Sequence, residues 1–140
     1  MIRIYLCAFA LSLLAACTPA PAAAGIQVDK LIDCIGMVEG NPWTRPGGLY
    51  GFTKATWSDF SGYPYSWSQK PDVARKIARR AIYDTIQRLT SAGIEPTPYL
   101  IAVRWRWGHQ GMIKRMNNHD DYGQRVSNLY WEAAVRTSGL

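Results

Sequence analysis

The sequence predicts a small all-α domain of about five helices with two loops rich in aromatic residues and glycine. Apolar residues recur at helical spacing in five segments, and no segment alternates apolar and polar residues as a half-buried strand would. The chain has 140 residues, of which 48% are hydrophobic and 19% are charged, so it can bury one core. No apolar run of the mature chain is long enough for a transmembrane helix. These observations exclude a multidomain enzyme, a coiled coil and a polytopic membrane protein.

Residues 1–16 have the layout of a secretory signal peptide. Arg3 gives the segment a positive start, and the residues that follow it are almost all apolar or small. The segment Leu14–Cys17 resembles the lipobox of bacterial lipoproteins, in which the cysteine becomes the lipidated first residue of the mature chain. The alternative is an ordinary cleaved signal.

Residues 17–25 contain mostly proline and alanine, which predicts a tether rather than part of a core. The folded domain is then expected over residues 26–140. We expect an exported protein of the cell envelope, held at the periplasmic face of a bacterial membrane through lipidated Cys17. The mature chain stays basic after the loss of Arg3, which suits an anionic partner such as the wall polymer or a phospholipid surface. The expected export argues against nucleic acid, so a basic nucleic-acid-binding helical domain is the least favoured interpretation.

The first helix is predicted over residues 28–39, where an apolar stripe is followed by Gly40, a residue that commonly ends a helix. A short second helix is predicted from Thr53, which can cap it, to Phe60. A long third helix is predicted over residues 71–90. Its basic side chains fall mostly off its apolar stripe, as on a solvated face.

The fourth helix is predicted to start at Pro98 after a Thr97 cap, to be nearly all apolar from Tyr99 to Trp107, and to end between Gly108 and Gly111. The fifth starts near Asp120 and Asp121, whose charges favour a helix N-terminus. Residues 41–51 and 61–70 are predicted to be the two loops.

Glu39 is the acidic residue that fits a functional site best. It continues the apolar stripe of the first helix, so partial burial is expected. It also lies at the negative end of the helix dipole. Both effects disfavour the negatively charged carboxylate and favour a carboxyl group that can donate a proton. The alternative is a glutamate on an exposed, frayed helix end.

Three segments in order resemble motifs of the lysozyme-like superfamily, in particular of soluble lytic transglycosylases and resuscitation-promoting factors. Glu39 with its Gly-rich loop and the segment 48–57 (GLYGFTKATW) resembles the catalytic segment of that superfamily. Residues 102–108 (AVRWRWG) look like a variant of an Ala-x-x-Tyr-Asn-Ala-Gly motif, and residues 121–126 (DYGQRV) resemble a terminal tyrosine motif. The resemblance implies that Tyr122 lies near Glu39.

The resemblance implies a lytic transglycosylase that cuts peptidoglycan strands between N-acetylmuramic acid and N-acetylglucosamine. Glu39 would act as acid and then as base, and the product would carry a 1,6-anhydro end. No cofactor is expected, and the two histidines lack cysteine or acidic company at metal-ligand spacing, so no metal is expected either. Sugars stack on aromatic faces, and the candidate substrate-binding residues are Tyr50, Gly51, Phe52, Trp57, Tyr63, Tyr65, Trp67, Trp105, Arg106 and Tyr122.

Two alternatives stay open. A lysozyme-type hydrolase would need a second carboxylate, for which Asp59 is the candidate. A lipoprotein that binds wall glycan without cutting it is motivated by Gly40, Gly51 and Arg106, which depart from the family motifs. An envelope-spanning assembly is a further candidate partner of the protein.

Overall fold

The computed structural model describes residues 25–40 and 47–138, and within these ranges the chain is all-helical, which confirms the predicted fold class. The predicted signal peptide, Cys17 and nearly all of the predicted tether lie outside the described residues. No helix in the described part is both long and apolar enough to cross a membrane. The helices are α1 (Val28–Glu39), α2 (Lys54–Phe60), α3 (Pro71–Ser91), α4 (Pro98–Arg115) and α5 (Asp121–Ser138), with 3-10 turns at Gly48–Tyr50 and Tyr65–Gln69.

Two helix starts follow the predicted capping chemistry. The Thr53 hydroxyl accepts a hydrogen bond from the Thr56 backbone N–H at 3.1 Å, and the Thr97 hydroxyl accepts one from Leu100 N–H at 3.2 Å. Each cap satisfies a backbone donor that the first helical turn leaves without a carbonyl partner. The sequence therefore located the starts of α2 and α4.

The predicted end of the fourth helix is wrong. Gly108 does not stop α4 but bends it, with φ 68° and ψ −175°, and helical structure resumes as far as Arg115. Glycine adopts this conformation without the steric cost that a Cβ would bring. Helix formation resumes because Met112, one turn beyond the bend, is fully buried in the core.

The core lies between α1, α3, α4 and α5. Helix α5 packs most extensively on α4 and α1, and α3 also packs on α1. Both ends of α1 are bonded to α5, because Gln27 N–H donates to the Tyr130 hydroxyl at 2.9 Å and Glu39 accepts from Tyr122. The largest fully buried side chains are Leu31, Ile32, Ile35, Trp57, Ile82, Ile101, Val103, Met112 and Val126, and the small polar Ser68 is also fully buried.

Ion pairs on the surface join α3 to α1. Arg75 bonds the Asp33 carboxylate and Arg79 bonds that of Asp29, so part of the basic face expected to be merely solvated is paired. The hydrogen bond from Arg79 holds the pKa of Asp29 below its ordinary value. Exposed pairs of this kind add little stability, and here they fix which face of α3 meets α1.

Candidate functional site

Glu39 is the last residue of α1 and is only 6% exposed, although it carries a carboxyl group. The Tyr122 hydroxyl, from the first turn of α5, donates a hydrogen bond to its Oε1 at 2.7 Å. The Arg106 guanidinium, from α4, lies 3.9 Å from its Oε2. Three helices thus meet at this carboxyl group, and the alternative of an exposed, frayed end is wrong.

Each oxygen of the Glu39 carboxyl group faces a polar side chain. The Tyr122 hydroxyl bonds Oε1, and the Arg106 guanidinium lies near Oε2. A buried carboxyl group that is oriented in this way is suited to proton transfer with a bound ligand.

Gly51 lies directly against the Glu39 carboxyl group. A Cβ built on Gly51 would stand 2.6 Å from Oε2, which is closer than any real contact allows. Its φ of 64° is left-handed, a conformation that side chains other than glycine rarely adopt. The carboxyl group therefore occupies space that only glycine leaves open at this turn.

Asp120 holds Tyr122 in place by capping α5. It is 7% exposed, and its Oδ1 accepts a hydrogen bond from Gly123 N–H at 2.8 Å. Its Oδ2 accepts another at 2.8 Å from the Trp107 indole N–H, just before the bend of α4. Burial, and then the negative charge of Glu39, raise the pKa of the Tyr122 phenol. Tyr122 therefore keeps its proton and remains a donor to Glu39 well into the alkaline range.

Glu39 opens into a small inner cavity that leads to a larger groove. The inner cavity has a volume of about 80 Å³, below the size of a usual ligand pocket. The outer groove, at about 1380 Å³, is large enough for a chain-like ligand. The two spaces share Thr53, Thr56, Trp105 and Arg106 in their walls. The inner cavity can thus take the reacting atoms while the groove takes the body of a ligand.

The structure brings half of the predicted substrate-binding residues to this place. Gly51, Phe52, Trp105 and Arg106 line the inner cavity, and Tyr122 bonds Glu39. The Trp105 indole N–H donates to Tyr50 O at 3.1 Å, and its ring packs 5.2 Å from that of Phe52. These contacts fix Trp105 as an apolar wall between the cavity and the groove.

Two of the predicted aromatic residues belong to the core. Tyr50 is 2% exposed and Trp57 is 1% exposed, so neither ring has a face open to a ligand. The Trp57 indole N–H donates to Tyr63 O at 2.7 Å, and burial raises the pKa of the Tyr50 phenol. The prediction that these two rings stack on sugar is wrong, because large aromatic rings fill a core of this size.

The aromatic residues of the second loop line neither space. The Tyr63 and Trp67 rings stack at 4.9 Å, and the Lys70 ammonium lies 3.6 Å from the centre of the Trp67 ring. The Tyr65 hydroxyl donates to Phe52 O at 2.6 Å. The prediction that these three residues bind substrate beside Glu39 is therefore wrong, because each packs on the protein away from both spaces.

Sequence reasoning missed the hydroxyl pair in the cavity wall. The Thr53 and Thr56 hydroxyls lie 2.9 Å apart and both residues line the inner cavity. Their spacing at a helix start was a usable signal, because a cap and the residue three positions on lie on one side of the first turn. Asp59 is exposed on the outer groove and does not line the inner cavity.

Within the described ranges no three His, Cys, Asp or Glu side chains are grouped as metal ligands would be. No family model, no curated protein and no solved structure matches the chain.

Proposed function

We propose that the protein is a peptidoglycan lytic transglycosylase, a lyase that uses Glu39 as its single acid and base. The observation that carries the proposal is the buried Glu39 carboxyl group, bonded by Tyr122 at 2.7 Å and opening through a small cavity into a groove. A carboxyl group of this kind can transfer a proton to a glycosidic oxygen held in the cavity.

In the first step protonated Glu39 gives its proton to the oxygen between C1 of N-acetylmuramic acid and C4 of N-acetylglucosamine. The bond from C1 to that oxygen breaks, and N-acetylglucosamine leaves with a 4-hydroxyl group. The N-acetyl carbonyl of the muramic acid stabilises C1. In the second step the Glu39 carboxylate takes the proton of the muramic acid 6-hydroxyl, whose oxygen bonds C1 and closes the anhydro ring. The proton returns to Glu39 and no water is consumed.

The surrounding side chains have separate roles in this scheme. Tyr122 orients the carboxyl group through its bond to Oε1, and Arg106 stabilises the carboxylate formed after the first step. Trp105 supplies the apolar wall on which a sugar ring can rest, and the buried Phe52 ring packs behind it. A second carboxylate is not required, which agrees with the position of Asp59 outside the inner cavity.

The same proposal includes export and attachment to a membrane through lipidated Cys17, with wall glycan as the partner. The lysozyme-type alternative draws support from Asp59, whose carboxylate is exposed on the groove. The two reactions differ in their products, because a hydrolase adds water and leaves reducing ends.

The test is digestion of purified peptidoglycan with mass detection of the released fragments. The wild-type protein should release fragments with anhydro ends, each one water lighter than the hydrolysis product. Glu39→Gln should lower release by roughly a hundredfold or more because the amide cannot donate or accept the proton in either step.

The matched control is Glu95→Gln, at an exposed glutamate in the connection between α3 and α4. It should digest like the wild type, and the helical circular dichroism of both variants should be unchanged. Undiminished release by Glu39→Gln would refute the proposal. Reducing ends would assign the hydrolase, and binding of glycan without release would assign the non-catalytic lipoprotein.

A further inference from the structure

The outer groove has more basic than acidic side chains in its lining. Its charged lining comprises four arginines, Arg80, Arg88, Arg104 and Arg106, against the two aspartates Asp59 and Asp84. We call Arg80, Arg88 and Arg104 the arginine wall. It is built from α3 and the first half of α4.

In the arginine wall, the Asp84 carboxylate is the shared counter-ion of two guanidinium groups. Asp84 Oδ2 lies 2.7 Å from Arg88 Nε and 3.9 Å from Arg104 Nη2. Arg104 is only 15% exposed, and burial followed by the charge of Arg88 lowers its pKa. Two like charges close together with one shared counter-ion attract a further anion.

Arg104 is held in a fixed orientation. Its Nη1 donates to His109 Nδ1 at 2.8 Å, so a residue just after the bend of α4 positions the guanidinium from the groove side. Arg80 is also held in place, because its Nη1 donates a hydrogen bond to the backbone oxygen of Phe60, at the end of α2, at 3.1 Å. Guanidinium groups fixed in this way match the planar fork of a carboxylate.

We infer that the arginine wall binds the carboxylates of the stem peptide that branches from the muramic acid. This inference rests on the proposed function, which supplies the substrate. The stem leaves the same sugar whose C1 is attacked at Glu39, so it must run through space adjoining the inner cavity. The arginine wall borders that space, because the groove and the cavity share four lining residues.

The experiment compares the double variant Arg80→Gln/Arg88→Gln with the wild type on two substrates. One is glycan strands that carry their stem peptides, and the other is strands from which an amidase has removed them, leaving the lactyl carboxylate. Both arginines are exposed, so the fold should tolerate the changes. The ratio of kcat/KM on peptide-bearing to denuded strands should fall by roughly three- to tenfold, mainly through KM.

Arg136→Gln, at an exposed arginine of α5 that does not line the groove, is the matched control and should keep the wild-type ratio. Added salt should lower the ratio in the wild type more than in the double variant, because exposed charge contacts are screened. If the double variant keeps the wild-type ratio, the inference is overturned. The same holds if the variant loses the same fraction of activity on both substrates. In either case the proposed function still stands.

A second measurement does not depend on turnover. Titration of the protein with free stem peptide, followed by nuclear magnetic resonance, should shift backbone amides of α3 and of α4 around its bend, and less so in the double variant. Shifts without any anhydro product would support the peptide site while the proposed function fails. Absence of shifts at high peptide concentration would contradict the inference.

Discussion

At the residue scale, the position of the Glu39 carboxyl group depends on Gly51, which has no side chain to fill the space that the carboxyl group occupies. Gly51 could not be assigned this role from the sequence, because the contact joins the end of α1 to a turn twelve residues later. Glu39 itself could be found, since its spacing on the apolar stripe predicted burial, as observed. Spacing along a helix is visible in a sequence, whereas a close approach between separate segments is not.

Gly51→Ala should displace the Glu39 carboxyl group and lower release of anhydro fragments by about tenfold or more. The new Cβ would meet Oε2 at 2.6 Å, and the positive φ would cost about 1–2 kcal/mol of stability. Gly93→Ala is the control, because Gly93 has φ 72° with nothing within 4 Å of its Cβ position. Both variants should lose similar stability by urea denaturation, and equal activities would show that the contact at Gly51 does not matter.

At the scale of elements, helix starts were predicted well and loop packing was not. Thr53 and Thr97 cap their helices as expected, because a cap depends only on residues three positions apart. The stretch containing Tyr63 and Trp67 was assigned to a groove on its composition. The rings instead stack on each other. This arrangement depends on tertiary packing, which composition does not predict. Gly108 bends α4 for a similar reason, since the burial of Met112 restores the helix.

Asp120→Ala should loosen the start of α5 and with it the Tyr122 hydroxyl. The lost cap costs about 1–2 kcal/mol, and the Trp107 indole loses its acceptor as well. Release of anhydro fragments should fall together with the free energy of unfolding.

The neighbouring Asp121→Ala is the control, because the Asp121 side chain is 91% exposed. It should lose less than about 1 kcal/mol, from the helix dipole and the exposed pair with His119, and keep its activity. Equal losses in the two variants would mean that Asp120 does not position Tyr122.

At the scale of the whole molecule, the sequence predicted the helical class and the single core, since both follow from periodicity and length. It did not predict which faces would carry the groove, because that depends on how α3 and the bent α4 lie together. Burial of weak acids is a further property of the assembled core. The pKa values of the Cys34 thiol, Tyr50 and Tyr122 are all raised, in each case chiefly by burial.

The free energy of unfolding should therefore fall as the pH rises above about 9. In the unfolded chain the thiol ionises near 9.0 and the phenols near 10.0, while the folded chain keeps these protons. Unfolding then releases protons, so alkali favours it. Urea denaturation across this range measures the slope, and Tyr122→Phe should flatten it above pH 10. Tyr83→Phe, at a side chain 56% exposed, should leave the slope unchanged, and an equal change in both would contradict the explanation.

The two bonds between α1 and α5 have a mechanical consequence. The twelve residues of α1 span about 18 Å, with Gln27 at one end and Glu39 at the other. A pull applied upstream of residue 26 meets the bond from Gln27 to the Tyr130 hydroxyl first. Helix α1 thus separates the Glu39 carboxyl group from the point at which the upstream chain enters the domain. Load on the chain is transmitted into α5 before it can reach Glu39.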